Sequence, residues 1–176
     1  MRIIGGKFKG KKIIAPKNLP VRPTTDFAKE SLFNILSNRI NFKDCKLLDL
    51  FAGTGNISYE FASRGCEEIT LVDVNFQCIQ FIKRMNKELQ LNNRIIRSEA
   101  MRFLKQCKEQ YSFIFADPPY QMEEIKKIPA LVIEKKLLQP NGILILEHEK
   151  KLDFSEHYNF QENRQYGRVN FSFFVA

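Results

Sequence analysis

Leu47-Leu48-Asp49-Leu50-Phe51-Ala52-Gly53-Thr54-Gly55-Asn56-Ile57 is the stretch that decides the fold. An apolar run free of glycine and proline reads as a buried strand. It runs into Gly-Thr-Gly, after which Ile57-Ser58-Tyr59-Glu60-Phe61-Ala62 takes up a helical pattern. Strand, glycine turn and helix form the βα unit that binds nucleotide-like ligands. The glycines permit a close backbone approach, and the helix start offers free N–H groups. Eighteen residues after Gly55, the strand-like Ile69-Thr70-Leu71-Val72 ends in Asp73, an acid suited to the two hydroxyls of a ribose. Ser58 stands where the dinucleotide fingerprint has its third glycine. The site therefore need not seat a pyrophosphate, which favours a cofactor with one nucleoside over NAD. The plainer alternative is a turn that only needs small residues.

Outward from this unit, 176 residues suit about one domain with a real core. No apolar run approaches the roughly 20 residues of a membrane span, and Met1-Arg2-Ile3-Ile4-Gly5-Gly6-Lys7 lacks the apolar core of a signal peptide. Cys45, Cys66, Cys78 and Cys107 are scattered, and only His148 and His157 could join them, so no metal site is expected. Buried, reduced thiols and a cytoplasmic location follow. The net charge of +8 is uneven. Arg2, Lys7, Lys9, Lys11, Lys12, Lys17 and Arg22 crowd residues 1–25 with no acid among them, and the rest of the chain is nearly neutral. A basic arm points to a polyanion, and Ile3, Ile4, Phe8, Ile13 and Ile14 let it fold as strands. A solubility tail is the bland alternative.

Along the chain, residues 1–15 read as a hairpin turning at Gly5-Gly6 or Gly10, and Pro16, Pro20 and Pro23 as an extended linker. A helix capped by a threonine opens near Asp26, with Ala28, Leu32, Ile35 and Leu36 as its apolar stripe. Further helices are expected at 76–89, at 101–104 and through 123–138. Strands are expected at 94–97, 113–116 and 143–146, with a closing hairpin of 157–160 and 169–175. Alternating strands and helices imply a doubly wound, mostly parallel sheet whose ligands bind where the winding reverses. If the first strand neighbours the fourth at that reversal, Gly53-Thr54-Gly55 and Asp117-Pro118-Pro119-Tyr120 share one crevice.

That second motif suits a particular chemistry. The exocyclic amine of a nucleobase is a poor nucleophile because its lone pair is delocalised into the ring. Asp117 and the Pro118 carbonyl can accept its hydrogens and localise the lone pair, while Tyr120 offers a flat face to the base. Such an amine, held in line with a methyl sulfonium, needs positioning and electrostatics more than a strong base. A rigid loop with a packed tyrosine is the competing view. Glu147 and His148, after the fifth strand, receive no role.

On these motifs the chain resembles the S-adenosylmethionine-dependent N-methyltransferases, and more closely the RsmD family of bacterial 16S rRNA guanine-N2 methyltransferases. Arg2-Ile3-Ile4-Gly5-Gly6 with its lysines, Arg22-Pro23-Thr24-Thr25-Asp26 through Phe33-Asn34, Asp49 to Gly55, and Asp117 to Tyr120 match in order. The resemblance implies a Rossmann-like class I methyltransferase fold: seven strands, mostly parallel, with an antiparallel C-terminal hairpin and a small basic N-terminal β-hairpin. It implies that Asp49, Phe51, Ala52, Gly53, Thr54 and Gly55 hold the methionine end of S-adenosylmethionine. Asp73 and Val74 would serve the ribose side, Glu99 and Ala100 the adenine, and Asp117 would border both cofactor and target. Glu99 stands where the family pattern usually has Asp. Arg22 and Thr24 would lie beside the active site, and Arg2, Lys7, Lys9, Lys11 and Lys12 would meet RNA. The implied division is an RNA-contacting arm over 1–22 and a methyltransferase domain over 23–176. The implied partner is 16S rRNA within a small-subunit ribosomal particle, and the protein would work as a monomer. Adenine-N6 methylation of DNA, a dinucleotide oxidoreductase and a non-catalytic RNA-binding module remain the alternatives; the first usually needs a separate target-recognition region, for which 176 residues leave little room.

Overall fold

The structure, a computed structural model, describes residues 1–16, 19 and 26–176. Arg22, Pro23, Thr24 and Thr25, and with them the expected threonine cap, lie outside the described residues. Helix α1 (Asp26–Leu36) leads into strand β1 (Lys46–Asp49), helix α2 (Asn56–Ser63), strand β2 (Glu68–Asp73) and helix α3 (Phe76–Glu88). There follow β3 (Arg94–Arg97), α4 (Ala100–Gln106), β4 (Tyr111–Ala116), α5 (Lys127–Glu134), β5 (Leu138–His148), β6 (Phe160–Tyr166) and β7 (Val169–Val175). The seven strands form one sheet in the order β3-β2-β1-β4-β5-β7-β6. β1, β2, β3, β4 and β5 run parallel, and β7 pairs antiparallel with both β5 and β6.

Side chains along the central strands alternate between two cores, as a sheet covered on both faces requires. Leu47, Phe113 and Phe115 pack with Leu32, Phe33, Phe61 and Ile82 of α1, α2 and α3. Leu48, Ile114 and Ala116 pack with Met101, Leu104, Ile128 and Val132 of α4 and α5. The rings of Phe33 and Phe113 each meet Phe61, at centroid distances of 5.3 and 4.9 Å, and tie α1 through α2 to the middle of the sheet. The result is the three-layer Rossmann-like architecture, with β1 beside β4 at the reversal of winding.

The N-terminal segment forms a third core. Ile3, Ile13 and Leu19 are buried with Tyr59 of α2 and with Cys78, Phe81 and Met85 of α3. Arg2 and Lys12 make one antiparallel bridge, and a 3₁₀ turn over Gly6–Phe8 reverses the chain between them. Gly6 and Gly10 both have positive φ, so both expected turn points are used. Backbone bonds flank that bridge, Ile3 N to Lys11 O and Ile13 N to Met1 O at 3.0 Å and Gly10 N to Ile3 O at 2.8 Å, so the segment is a short hairpin, and past Ile3 the amides turn to α2. Ile4 and Gly5 donate to the two oxygens of Glu60 at 2.9 and 2.8 Å, and Phe8 donates to Ser63 Oγ at 2.9 Å.

Other expectations are corrected in detail. The buried face of α1 is Ala28, Lys29, Leu32, Phe33 and Leu36, with Ile35 only partly covered. The penultimate strand is β6 at Phe160–Tyr166, beyond the expected 157–160, and β5 extends back to Leu138 through Pro140-Asn141-Gly142. Of the cysteines, Cys45, Cys66 and Cys78 are buried, but Cys107 is partly exposed. Among the described residues no helix is long and apolar enough to cross a membrane, and no cluster of His, Cys, Asp and Glu could hold a metal.

Candidate active site

β1 ends at Asp49, and the loop that follows is held by its neighbours on both sides. Leu50 N donates to Phe115 O at 2.9 Å and Ala52 N to Val72 O at 2.9 Å. The ends of β1, β2 and β4 are thereby drawn into one rim. Above that rim opens a cavity of about 730 Å³, whose wall includes Asp49, Phe51, Ala52, Gly53 and Thr54 from the first motif. Asp73, Val74, Glu99 and Ala100 line it on one side, and Asp117, Pro118, Pro119 and Tyr120 on the other. The glycine turn and the Asp-Pro-Pro-Tyr loop thus share one crevice at the reversal between β1 and β4. Its size falls in the usual range for a pocket that takes a small organic molecule.

Gly55 is the one residue of the first motif off the cavity wall. It takes a left-handed conformation, φ 79°, as the cap of α2, and a Cβ there would come within 2.7 Å of the Tyr59 ring. Its service is to the turn and to Tyr59, and only through them to a ligand. Asn56, directly after it, does line the cavity.

The two acids at the strand ends are held differently. Asp49 is almost wholly buried and accepts from Ser58 Oγ at 2.6 Å. Burial, with a smaller push from Asp73, raises its pKa to about 7 despite that hydrogen bond. Ser58, in the position of the absent third glycine, has its own task as partner of this carboxyl. Asp73 is less enclosed; its Oδ2 accepts from Gly53 N and its Oδ1 from Asn75 N, each at 2.7 Å. Burial raises its pKa, with those amides opposing the shift. These amides fix the carboxylate at the cavity wall, where its remaining acceptor capacity suits the hydroxyls of a ribose. The donor set therefore fits a nucleoside.

Ser98 N donates to Asp73 O at 3.1 Å, which brings the start of α4 beside this acid. Glu99 caps that helix, each carboxylate oxygen accepting one amide, from Met101 and from Arg102, at 2.7 Å. The longer side chain thus does an N-cap's work at the cavity wall. On the far side, Met122 N donates to Pro119 O at 2.8 Å and closes a turn over Asp-Pro-Pro-Tyr.

The arm residues lie off the cavity wall. Lys7, Lys9 and Lys12 are exposed, and Lys11 pairs with Glu88 of α3 at 2.9 Å. Arg22 and Thr24 lie outside the described residues. The arm still reaches the site through a buried lysine. Lys29 Nζ donates to Arg2 O at 2.6 Å and to Asn56 Oδ1 at 2.9 Å, and stands 3.6 Å from Glu60 Oε2. Burial lowers the Lys29 pKa, with Glu60 acting the other way. Neither Lys29 nor Glu60 was singled out from the sequence. Lys29 falls one helical turn before Leu32 and Phe33, on the face that had to be buried, and that placement was the available signal. Glu147, for which the sequence suggested no role, is buried and lines the cavity. His148 Nε2 pairs with Ser172 Oγ and Nδ1 with Glu149 O, each at 2.8 Å, and burial lowers its pKa.

The model of the family described as conserved hypothetical protein 95 matches residues 1–175. Ribosomal RNA small subunit methyltransferase D of Escherichia coli K12 is 33% identical over 85% of this chain and 75% of its own. The protein of the same name from Buchnera aphidicola (strain APS) is 39% identical over 85% and 78%. Among solved structures, a hypothetical protein of Thermus thermophilus superposes with a TM-score of 0.87, at 27% identity, over 100% of this chain and 99% of that one. The 16S rRNA N2 G1207 methyltransferase of T. thermophilus, solved with AdoMet and guanosine, shares the fold at a TM-score of 0.66 and 19% identity, over 86% of this chain and 43% of that one.

Proposed function

This chain belongs to the conserved hypothetical protein 95 family, that of ribosomal RNA small subunit methyltransferase D, and from that premise we propose that it methylates the exocyclic N2 amine of a guanine in 16S rRNA. The methyl donor is S-adenosylmethionine, which supplies an electrophilic methyl group on a sulfonium. The observation that carries this reading is the meeting of the Gly53-Thr54 turn and Asp117-Pro118-Pro119-Tyr120 across one cavity. Asp73 and Val74 receive the ribose side, Glu99 and Ala100 the adenine, and the loop from Asp49 to Thr54 the methionine end. Asp117 and the Pro118 carbonyl accept the two hydrogens of the target amine, and Tyr120 stacks on its base. These acceptors act most strongly as the amine becomes pyramidal, so they favour the transition state over the ground state. The segment 1–22 binds RNA beside the methyltransferase domain, 23–176, and the natural substrate is a small-subunit particle.

The test is transfer of labelled methyl from S-adenosylmethionine to free 16S rRNA and to small-subunit particles, with mass spectrometry of the digested nucleosides. N2-methylguanosine is the expected product. N6-methyladenosine would keep the amine chemistry and overturn the substrate; methylation on carbon or a ring nitrogen would overturn both. Asp117→Ala should lower kcat about a hundredfold or more while cofactor affinity holds.

A further inference from the structure

A second concavity, of about 440 Å³, lies between the N-terminal segment and α3. Pro16 and Leu19 form one wall, and Phe76, Gln77, Gln80 and Arg84 the other. None of them lines the first cavity, although Asn75 and Cys78, interleaved with them at the start of α3, do. The two hollows therefore adjoin along one helix. Phe76 is 54% exposed, which for a phenylalanine at the start of an otherwise well-packed helix leaves a large apolar face in water. The Arg97 guanidinium stands over that ring at 5.4 Å, held by a hydrogen bond from Nε to Val74 O at 3.2 Å. Arg84 stands over Phe81 at 5.1 Å.

These groups describe their occupant. Flat apolar faces suit a planar ring, the amides of Gln77 and Gln80 offer donors and acceptors to a polar edge, and two guanidinium groups suit an anion attached to that ring. None of the described lining residues is acidic. Lys83 and Lys87 of α3 and Lys7, Lys9 and Lys12 of the arm are exposed, and Lys11, paired with Glu88 of α3, joins the arm to that helix. We propose that this groove holds an unpaired nucleobase of the RNA substrate, stacked against Phe76, with its phosphates at Arg84 and Arg97. The inference rests on the proposed RNA substrate and gives it an address: one nucleotide is gripped outside the catalytic cavity. Because Phe76 directly follows Asn75 of the cavity wall, the groove adjoins the Asp73 side of that cavity.

The experiment uses the full chain and three measurements. Fluorescence anisotropy follows a labelled single-stranded oligoadenylate over a salt titration, calorimetry follows S-adenosylmethionine, and methyl transfer is read on free 16S rRNA and on small-subunit particles. Phe76→Ala should weaken oligoadenylate binding about 5- to 150-fold, the scale of one base–aromatic stack, with the salt slope unchanged. Phe76→Trp should restore it, and cofactor affinity should stay within about twofold. Unchanged RNA affinity in Phe76→Ala overturns the groove, as does a parallel loss of cofactor affinity, which would assign Phe76 to the first cavity. A defect confined to ribosomal particles would mean that the groove takes a protein. Should the wild-type chain bind no RNA and transfer no methyl group, the broader reading fails first, and the two failures are thus told apart.

Discussion

At the scale of the residue, Asp49 is the group whose protonation has most to say. In the unfolded chain its carboxyl titrates near its ordinary value of 3.8, and in the folded protein near 7. Between those values the folded state keeps a proton that the unfolded state has released. Stability conferred by the protonated form is therefore full at the acid end and lost as pH rises towards 7, levelling off above it. A cationic ligand reverses the balance, since it favours the carboxylate. Binding of S-adenosylmethionine near pH 7 should accordingly expel a proton from Asp49, and affinity should rise between about pH 6 and 8. Calorimetry in two buffers of different ionisation enthalpy reads that proton directly. Asp49→Asn should abolish its release, and a release that persists in the variant would move the effect elsewhere, Asp73 being the first place to look. From the sequence Asp49 was legible as a strand-end acid, but its high pKa was not. That property comes from an enclosure built by distant residues.

At the scale of the element, the basic arm is where charge becomes surface. Lys7, Lys9 and Lys12 face solvent, whereas Lys11 is already engaged by Glu88. Replacing the three exposed lysines with glutamine should reduce the log–log salt slope of RNA binding by roughly 0.7–0.9 for each phosphate no longer neutralised, and cofactor affinity should hold. An unchanged slope in filter-binding assays would make the arm a solubility device. The central strands β1, β2 and β4 were readable because each holds a short continuous apolar run, the mark of a strand covered on both faces. β6 was not, since Gln161-Glu162-Asn163-Arg164-Gln165 is polar throughout and reads as a loop. As the edge of the sheet it pairs on one side only, and its charges suit that position. β5 was cut short for a related reason. Pro140-Asn141-Gly142 signals a turn, and the pairing with β4 does shift register there, with Asn141 at φ 61°, but the strand resumes. Local chemistry was read correctly and the sheet overrode it.

At the scale of the molecule, the most legible feature was the juxtaposition of two motifs some sixty residues apart. It follows from winding rules alone, since βα units of one hand must reverse somewhere and β1 beside β4 is that place. The least legible was the attachment of the arm, because nothing local in Ile4-Gly5 announces that Glu60 will take both amides. That attachment has a bearing on how the protein comes into being. The arm leaves the ribosome before α2, yet its anchors belong to that helix, which starts more than fifty residues later, and each closing contact costs loop entropy until it exists. The arm's ordering thus waits on α2, as the loop after β1 waits on Val72 of β2 and Phe115 of β4. Pulse-labelling hydrogen exchange during refolding should find the amides of Ile4 and Gly5 protected no earlier than those within α2, and earlier protection would dissolve the dependence. A nascent or partly unfolded chain, although it carries every lysine of the arm, has no ordered platform on which to hold a transcript. On the proposed role of the arm, maturation of the protein itself would then decide when it can first engage RNA.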